Sequence, residues 1–95
     1  MERDRTHILA LGRRLADSVG FRVIALDGRE VGLLEHVRYR DHTDHPDEIV
    51  VRRRRLLRDR QAVLTFDQIT NVDRRSESVY LAVPTSAIDW RSGTD

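Results

Sequence analysis

The pair Asp27-Gly28 stands between two half-apolar runs, Phe21-Arg22-Val23-Ile24-Ala25-Leu26 and Arg29-Glu30-Val31-Gly32-Leu33-Leu34. Two residues that tolerate positive φ, flanked by segments rich in β-branched side chains, signal a tight β-turn and hence a hairpin. A hairpin alone is not stable, so further strands must cover it within the 95 residues available. That length holds one small domain. Charged residues make up 35% of the chain and aromatics 5%, so the core must be thin and built from Val, Ile and Leu.

Strand-like segments follow the turn in quick succession. A second strand over about residues 30–40 carries Val31, Leu34, Val37 and Tyr39, whose phase switches once and predicts a bulge near residues 34–36. A polar connection with Pro46 leads to a third strand starting at Glu48-Ile49-Val50-Val51 and running into Arg52-Arg53-Arg54-Arg55. Arg58-Asp59-Arg60 is expected to turn the chain into Gln61-Ala62-Val63-Leu64-Thr65, and Phe66-Asp67-Gln68 to form a tight turn before Ile69-Thr70-Asn71-Val72. Residues 74–77 make a last hairpin into Ser78-Val79-Tyr80-Leu81-Ala82-Val83, where Pro84 ends the sheet. With no helix between these strands, antiparallel pairing in a closed or nearly closed barrel is expected. Ahead of them, Ile8, Leu11, Leu15 and Val19 recur at helical spacing, predicting a helix over about residues 7–18, capped by Thr6 and laid on the sheet. The tail carries Ile88 and Trp90 on a short helical turn capped by Thr85 or Ser86.

From Gly20 to Val83 the chain resembles the PRC-barrel family, the type found in the photosynthetic reaction centre H subunit and at the C-terminus of the ribosome maturation factor RimM. The matching pieces are Gly20-Phe21-Arg22-Val23, Asp27-Gly28-Arg29-Glu30-Val31-Gly32 leading into Leu34 and Val37, Ile49-Val50-Val51, Phe66-Asp67-Gln68-Ile69 and Val79-Tyr80-Leu81. The resemblance implies a mainly β fold: a small six-stranded antiparallel SH3-like (PRC) barrel over residues 20–83. Residues 1–19 are then a helical extension and residues 84–95 a short C-terminal tail. It implies a module that binds other macromolecules and catalyses nothing, and it brings no catalytic residues with it.

The residues themselves exclude several chemistries. All 17 basic residues are arginine, so Schiff-base, Walker-type and general-base lysine roles are impossible. No cysteine is present, which removes disulfides, thiolate zinc sites and cysteine nucleophiles and makes a reducing cytoplasm the expected compartment. No serine stands in a Gly-x-Ser-x-Gly setting, and Asp67 and Asp73 flank a turn, where they read as turn formers. No apolar run approaches the roughly 20 residues of a spanning helix.

Three constellations remain as binding candidates. Arg52, Arg53, Arg54, Arg55, Arg58 and Arg60 are opposed locally only by Asp59. Guanidinium forks hold phosphates bidentately, and several on one ribbon would make a phosphate-tracking surface, although a net charge of +1 gives no bulk attraction to nucleic acid. Four buried arginines are impossible, so either the strand ends near Arg52 or it projects with both faces wet; the plain alternative to a binding role is a solvated, aggregation-blocking edge. The cluster Asp41, His42, Asp44, His45, Asp47 and Glu48, with His36 upstream, would hold an ion only if three side chains converged. A polar proline-containing loop explains it as well, so no metal and no cofactor is assigned. The same loop is a candidate acidic partner for the arginine run in a self-complementary dimer. Trp90 is either stapled to its own core or an exposed anchor. The expected partner is another, unidentified protein, with self-association as a homo-oligomer also expected; RNA or a ribosome contacted through residues 52–60 is the alternative.

Overall fold

The computed structural model describes residues 5–43, 45–55 and 58–92. The fold is mainly β with one helix: α1 (Arg5–Ala16), then β1 (Arg22–Ile24), β2 (Glu30–Arg38), β3 (Glu48–Arg55), β4 (Arg58–Thr65), β5 (Ile69–Asp73), β6 (Ser78–Leu81) and β7 (Arg91–Ser92). They form one sheet in the order β5-β6-β1-β2-β3-β4-β7. Among the described residues, no ladder joins β5 to β4 or β7, so the sheet is open where a closed barrel is expected. A 3-10 turn, Phe66–Gln68, carries the chain from β4 to the far edge strand β5. The β1–β6 pair is parallel, with Arg22 opposite Ser78 and Ile24 opposite Tyr80, which corrects the all-antiparallel expectation. Short local turns report only the hairpins, whereas this pairing is made after the whole of β2 to β5 has intervened. The seventh strand, only two residues long, pairs Arg91 and Ser92 with Gln61 and Arg60 of β4.

The Asp27-Gly28 turn closes β1 onto β2. Gly28 N–H donates to Ala25 O (2.9 Å) and Ala25 N–H to Arg29 O (2.8 Å), leaving a three-residue loop in which Gly28 has φ +85°. Of the pair, only the glycine takes the left-handed conformation, as a type I turn followed by a glycine bulge requires. Asp27 does other work: its Oδ1 accepts from Thr85 Oγ1 (2.9 Å) and Thr85 N–H (3.3 Å), and Leu26 N–H donates to Val83 O. The hairpin tip thereby holds the C-terminal segment, a 3-10 turn at Thr85–Ala87. Leu26 leaves the sheet for this contact, so β1 is shorter than the apolar run suggests.

Two bulges bend β2. The expected one leaves Glu35 between Leu34, opposite Val51, and His36, opposite Val50. A second leaves Val31 unpaired, since Val23 faces Gly32 and Ile24 faces Glu30. The bends let Val31, Leu34 and Val37 point inward despite their irregular spacing, and they coil the sheet around a core that includes Val23, Leu34, Ile49, Val51, Leu64, Ile69, Val79 and Leu81. Helix α1 lies against β5 and delivers Leu11 and Leu15 to the same core. It stops at Ala16 because Asp17 and Ser18 turn back by i to i−3 bonds to Arg14 O and Leu15 O, and the Ser18 hydroxyl also donates to Arg14 O. Val19 therefore falls outside the helix and stands 56% exposed, correcting its expected place on the apolar stripe.

Candidate functional site on the arginine hairpin

The β3–β4 ladder continues through the arginine run: Val51 faces Ala62, Arg52 faces Gln61, Arg53 faces Arg60, Arg54 faces Asp59 and Arg55 faces Arg58. The connection is thus at residues 56–57, which lie outside the described residues, and not at residues 58–60 as expected. The strand therefore neither ends near Arg52 nor projects with both faces wet there, since Arg52 and Arg53 are half-buried. The side chains of Arg54, Arg55 and Arg58 lie outside the described part of the structure. Those of Arg52 and Arg53 divide by strand alternation, one to each face of the sheet.

Arg52 is on the outer face, where its Nε donates to Glu35 Oε2 and its Nη1 lies 3.1 Å from Asp59 Oδ2. Gln61 Nε2 donates to Glu35 Oε1 at 2.6 Å, completing a four-residue bridge across β2, β3 and β4. The Arg52 hydrogen bond holds the Glu35 carboxyl below its ordinary range, with burial opposing and the Gln61 bond assisting. Arg53 turns to the inner side, its guanidinium carbon 4.4 Å from the centre of the Trp90 ring. Trp90 is half-buried against the core, so this cation–π contact ties β3 to the C-terminal segment. Arg60, opposite Arg53, is half-buried beside it.

The other guanidiniums on the outer face also meet carboxylates. Arg22 lies 3.6 Å from Glu30, and Arg40 and Arg38 lie 3.1 and 3.9 Å from Glu48 Oε1. That buried oxygen has ionic neighbours but no well-aligned hydrogen bond. Arg91 pairs with Asp89 at 3.5 Å. Exposed pairs of this kind contribute little stability; their consequence is that the charge of Arg22, Arg38, Arg40, Arg52 and Arg91 is matched in place.

Beside the hairpin stem runs a groove of about 440 Å³ whose lining includes Val19, Gly20, Leu33, Leu34, Glu30 and Glu35. Leu33 is 47% exposed and Val19 56%. Leu33 sits in a cross-strand row between Arg22 and Arg52. Residue types alone do not mark Leu33, Val19 or Glu35 for this role. The phase switch at residues 34–36 is the one signal that places Glu35 at a bulge.

The acidic loop is organised around Asp47. Its Oδ2 accepts backbone N–H bonds from Arg40 (2.7 Å), Asp41 (2.9 Å) and His42 (3.3 Å), and its Oδ1 lies 2.5 Å from His42 Nδ1. These bonds, led by the Arg40 amide and the His42 ring, hold the Asp47 carboxyl well below the usual carboxylate range. The histidine rings stack in a column: His42 on His45 at 4.2 Å, and His45 on Phe66 at 4.4 Å. Stacked rings do not converge on one point, and among the described residues no group of three ligating side chains could hold an ion; Asp44 lies outside them. Asp47 and Glu48 are engaged within the chain, so the loop offers less acid to a partner than its composition suggests.

The Asp47 geometry carries a prediction with a defined sign. A carboxyl depressed in the folded state stabilises at pH values above its unfolded value, about 3.9, and that contribution is lost as pH falls below it toward the folded value. Asp47→Ala is expected to speed amide exchange at Arg40, Asp41 and His42 near neutral pH while the sheet amides stay protected. The wild-type loop should show the same loss of protection only as the solution is acidified below about pH 4. Unchanged protection in the variant would show that the three amides do not depend on this carboxylate.

No protein-family model matches the chain, and neither the curated proteins nor the solved structures include a match to it. No helix among the described residues is long and apolar enough to cross a membrane.

Proposed function

We propose that the chain is a non-catalytic binding module of the PRC-barrel type that acts through protein–protein contacts and associates with itself. The observation that carries this reading is the groove at the hairpin stem, where Val19 and Leu33 remain exposed in a chain with few large apolar side chains to spare. Exposed aliphatics rimmed by charge are the usual make-up of a protein contact. The fold adds support: the β1–β2 hairpin, the bulged β2, the 3-10 turn at Phe66–Gln68 and β6 fall on the residues that carry the family resemblance. The open sheet with its parallel pair departs from a closed antiparallel barrel. A reducing cytoplasm suits a chain without cysteine.

RNA is the weaker reading, because phosphate binding depends on guanidiniums offered to solvent. Here Arg52 is bridged by Glu35 and Asp59, and Arg53 lies over Trp90. Sedimentation of the 11.1 kDa chain over a concentration series is expected to show a reversible rise in mass. A labelled single-stranded RNA is expected to show no mobility shift even at about 50 mM salt, where counterion release favours phosphate contacts most. A low-salt RNA shift that fades as salt rises, with the protein monomeric throughout, would replace the proposed function with the RNA reading.

A further inference from the structure

We propose that the Leu33 groove is the contact of an isologous homodimer, in which two copies meet about a two-fold axis passing near Leu33. The inference rests on the self-association reading and names its surface. Its first support is the charge pattern. The groove and its rim carry both signs in equal number, Glu30 and Glu35 of the lining with Arg52 of the lining and Arg22 beside Leu33. A two-fold rotation sets a patch against itself, so a patch bearing both signs can offset its acids against its own bases. A nucleic acid or a partner of uniform sign would instead meet like charge at two of these four positions.

The second support is the placement of Leu33. Register puts it between Arg22 on β1 and Arg52 on β3, both held by carboxylates of the same face, Arg22 by Glu30 and Arg52 by Glu35. An aliphatic centre inside a ring of paired charges is the anatomy of an interface anchor surrounded by a water-excluding rim. Val19 extends the apolar strip. Its backbone neighbours hold it there: Phe21 N–H donates to Ser18 O (2.9 Å) around it, Gly20 N–H donates to Leu34 O (2.8 Å), and Leu34 N–H donates to Phe21 O (2.9 Å). The apolar wall is thus fixed before a partner arrives, which lowers the ordering cost of binding. Stable interfaces use roughly 20–30 residues a side, and the groove is smaller than that, so the dimer is expected to be weak and concentration-dependent.

Two experiments test the assignment. Equilibrium sedimentation up to ~500 µM, a range chosen for dissociation constants from micromolar to millimolar, should show a monomer–dimer equilibrium. Leu33→Asp or Val19→Asp is expected to weaken it at least ~10-fold, the effect of losing a central apolar anchor, with circular dichroism unchanged. Because the chain contains no cysteine, Leu33→Cys introduces a single thiol at the proposed axis. Mild oxidation should convert it to a covalent dimer, whereas Tyr39→Cys, an exposed position past the far end of β2, should stay monomeric under the same conditions. This cross-link keeps the proposal testable if the aspartate variants fail to fold.

The failures are distinguishable. A wild-type chain that stays monomeric throughout, whether or not it binds a different protein or RNA, overturns the dimer and the self-association reading together. A wild-type dimer untouched by both aspartate variants, or one that cross-links through Tyr39→Cys and not Leu33→Cys, overturns the groove and leaves self-association standing.

Discussion

Gly32→Ala is expected to destabilise the chain by about 3 kcal/mol, the upper part of the range for overpacking a close-packed site. A Cβ on Gly32 would lie 2.5 Å from Arg52 O and 3.0 Å from both Arg52 C and Val51 Cγ1. Two of those three atoms are backbone of β3, so no rotamer change relieves the contact. The strand itself must move, yet β3 is fixed on its other side by the long ladder to β4. Removing a glycine from a strand gains roughly 0.5–1 kcal/mol of backbone entropy, which the clash exceeds. For a domain of this size the loss corresponds to a fall in Tm of roughly 12–24 °C. Thermal and urea unfolding followed by circular dichroism would measure it, and a Tm within about 4 °C of wild type would show that the β2–β3 spacing is softer than the register implies.

The same glycine shows what is legible in the sequence and what is not. Its place after Asp27-Gly28-Arg29-Glu30-Val31 belongs to the pattern of the hairpin, and the turns at Asp27-Gly28 and residues 74–77, the bulge at Glu35 and the 3-10 turn at Phe66–Gln68 are all local. Each is set by the turn chemistry or phase of a few neighbouring residues. Apart from the β3–β4 connection, earlier than residues 58–60, and the end of α1 at Ala16, the features that escape are non-local. The parallel β1–β6 pair, the open edges and the return of Arg91 and Ser92 to β4 depend on how far the sheet coils. That follows from both β2 bulges acting together, and only one of them leaves a readable phase switch.

The candidate site divides along the same line. The arginine run is conspicuous as a charge cluster, and alternation sends successive arginines to opposite faces. What each one meets is decided across strands: Glu35 reaches Arg52 because the bulge displaces it, and Trp90 reaches Arg53 because Asp27 and Thr85 tie the tail to the first hairpin. Within a cluster that reads as a free phosphate surface, Arg52 and Arg53 are therefore braces, and the exposed surface worth testing is the aliphatic strip beside them. Val19 belongs to that strip only because α1 ends three residues earlier than its apolar spacing suggests.

The end of α1 also makes Leu15→Ala the second variant of large expected effect, again about 3 kcal/mol, from lost burial plus the cavity left behind. Leu15 is fully buried and belongs to the same cluster as Ile69, Val72 and Val79. At 12 residues, with Gly12 in its interior, α1 is too short to be stable in isolation. Its helicity must come from docking on β5 through Leu11 and Leu15, assisted at the surface by Arg14 Nη1 donating to Asn71 Oδ1 at 3.4 Å. Removing the Leu15 side chain should therefore lower helix content and sheet stability in one transition, because a single cluster joins them. The expected fall in Tm is roughly 12–24 °C, and Arg13→Ala, at an exposed position of the helix, should stay within about 0.5 kcal/mol of wild type. A biphasic curve, with helix lost first and the sheet melting at its wild-type temperature, would instead mean that α1 is an accessory to a core complete without it. In that case Val19 and the apolar wall, held by Gly20 and Phe21 on Leu34, would outlast the helix that precedes them.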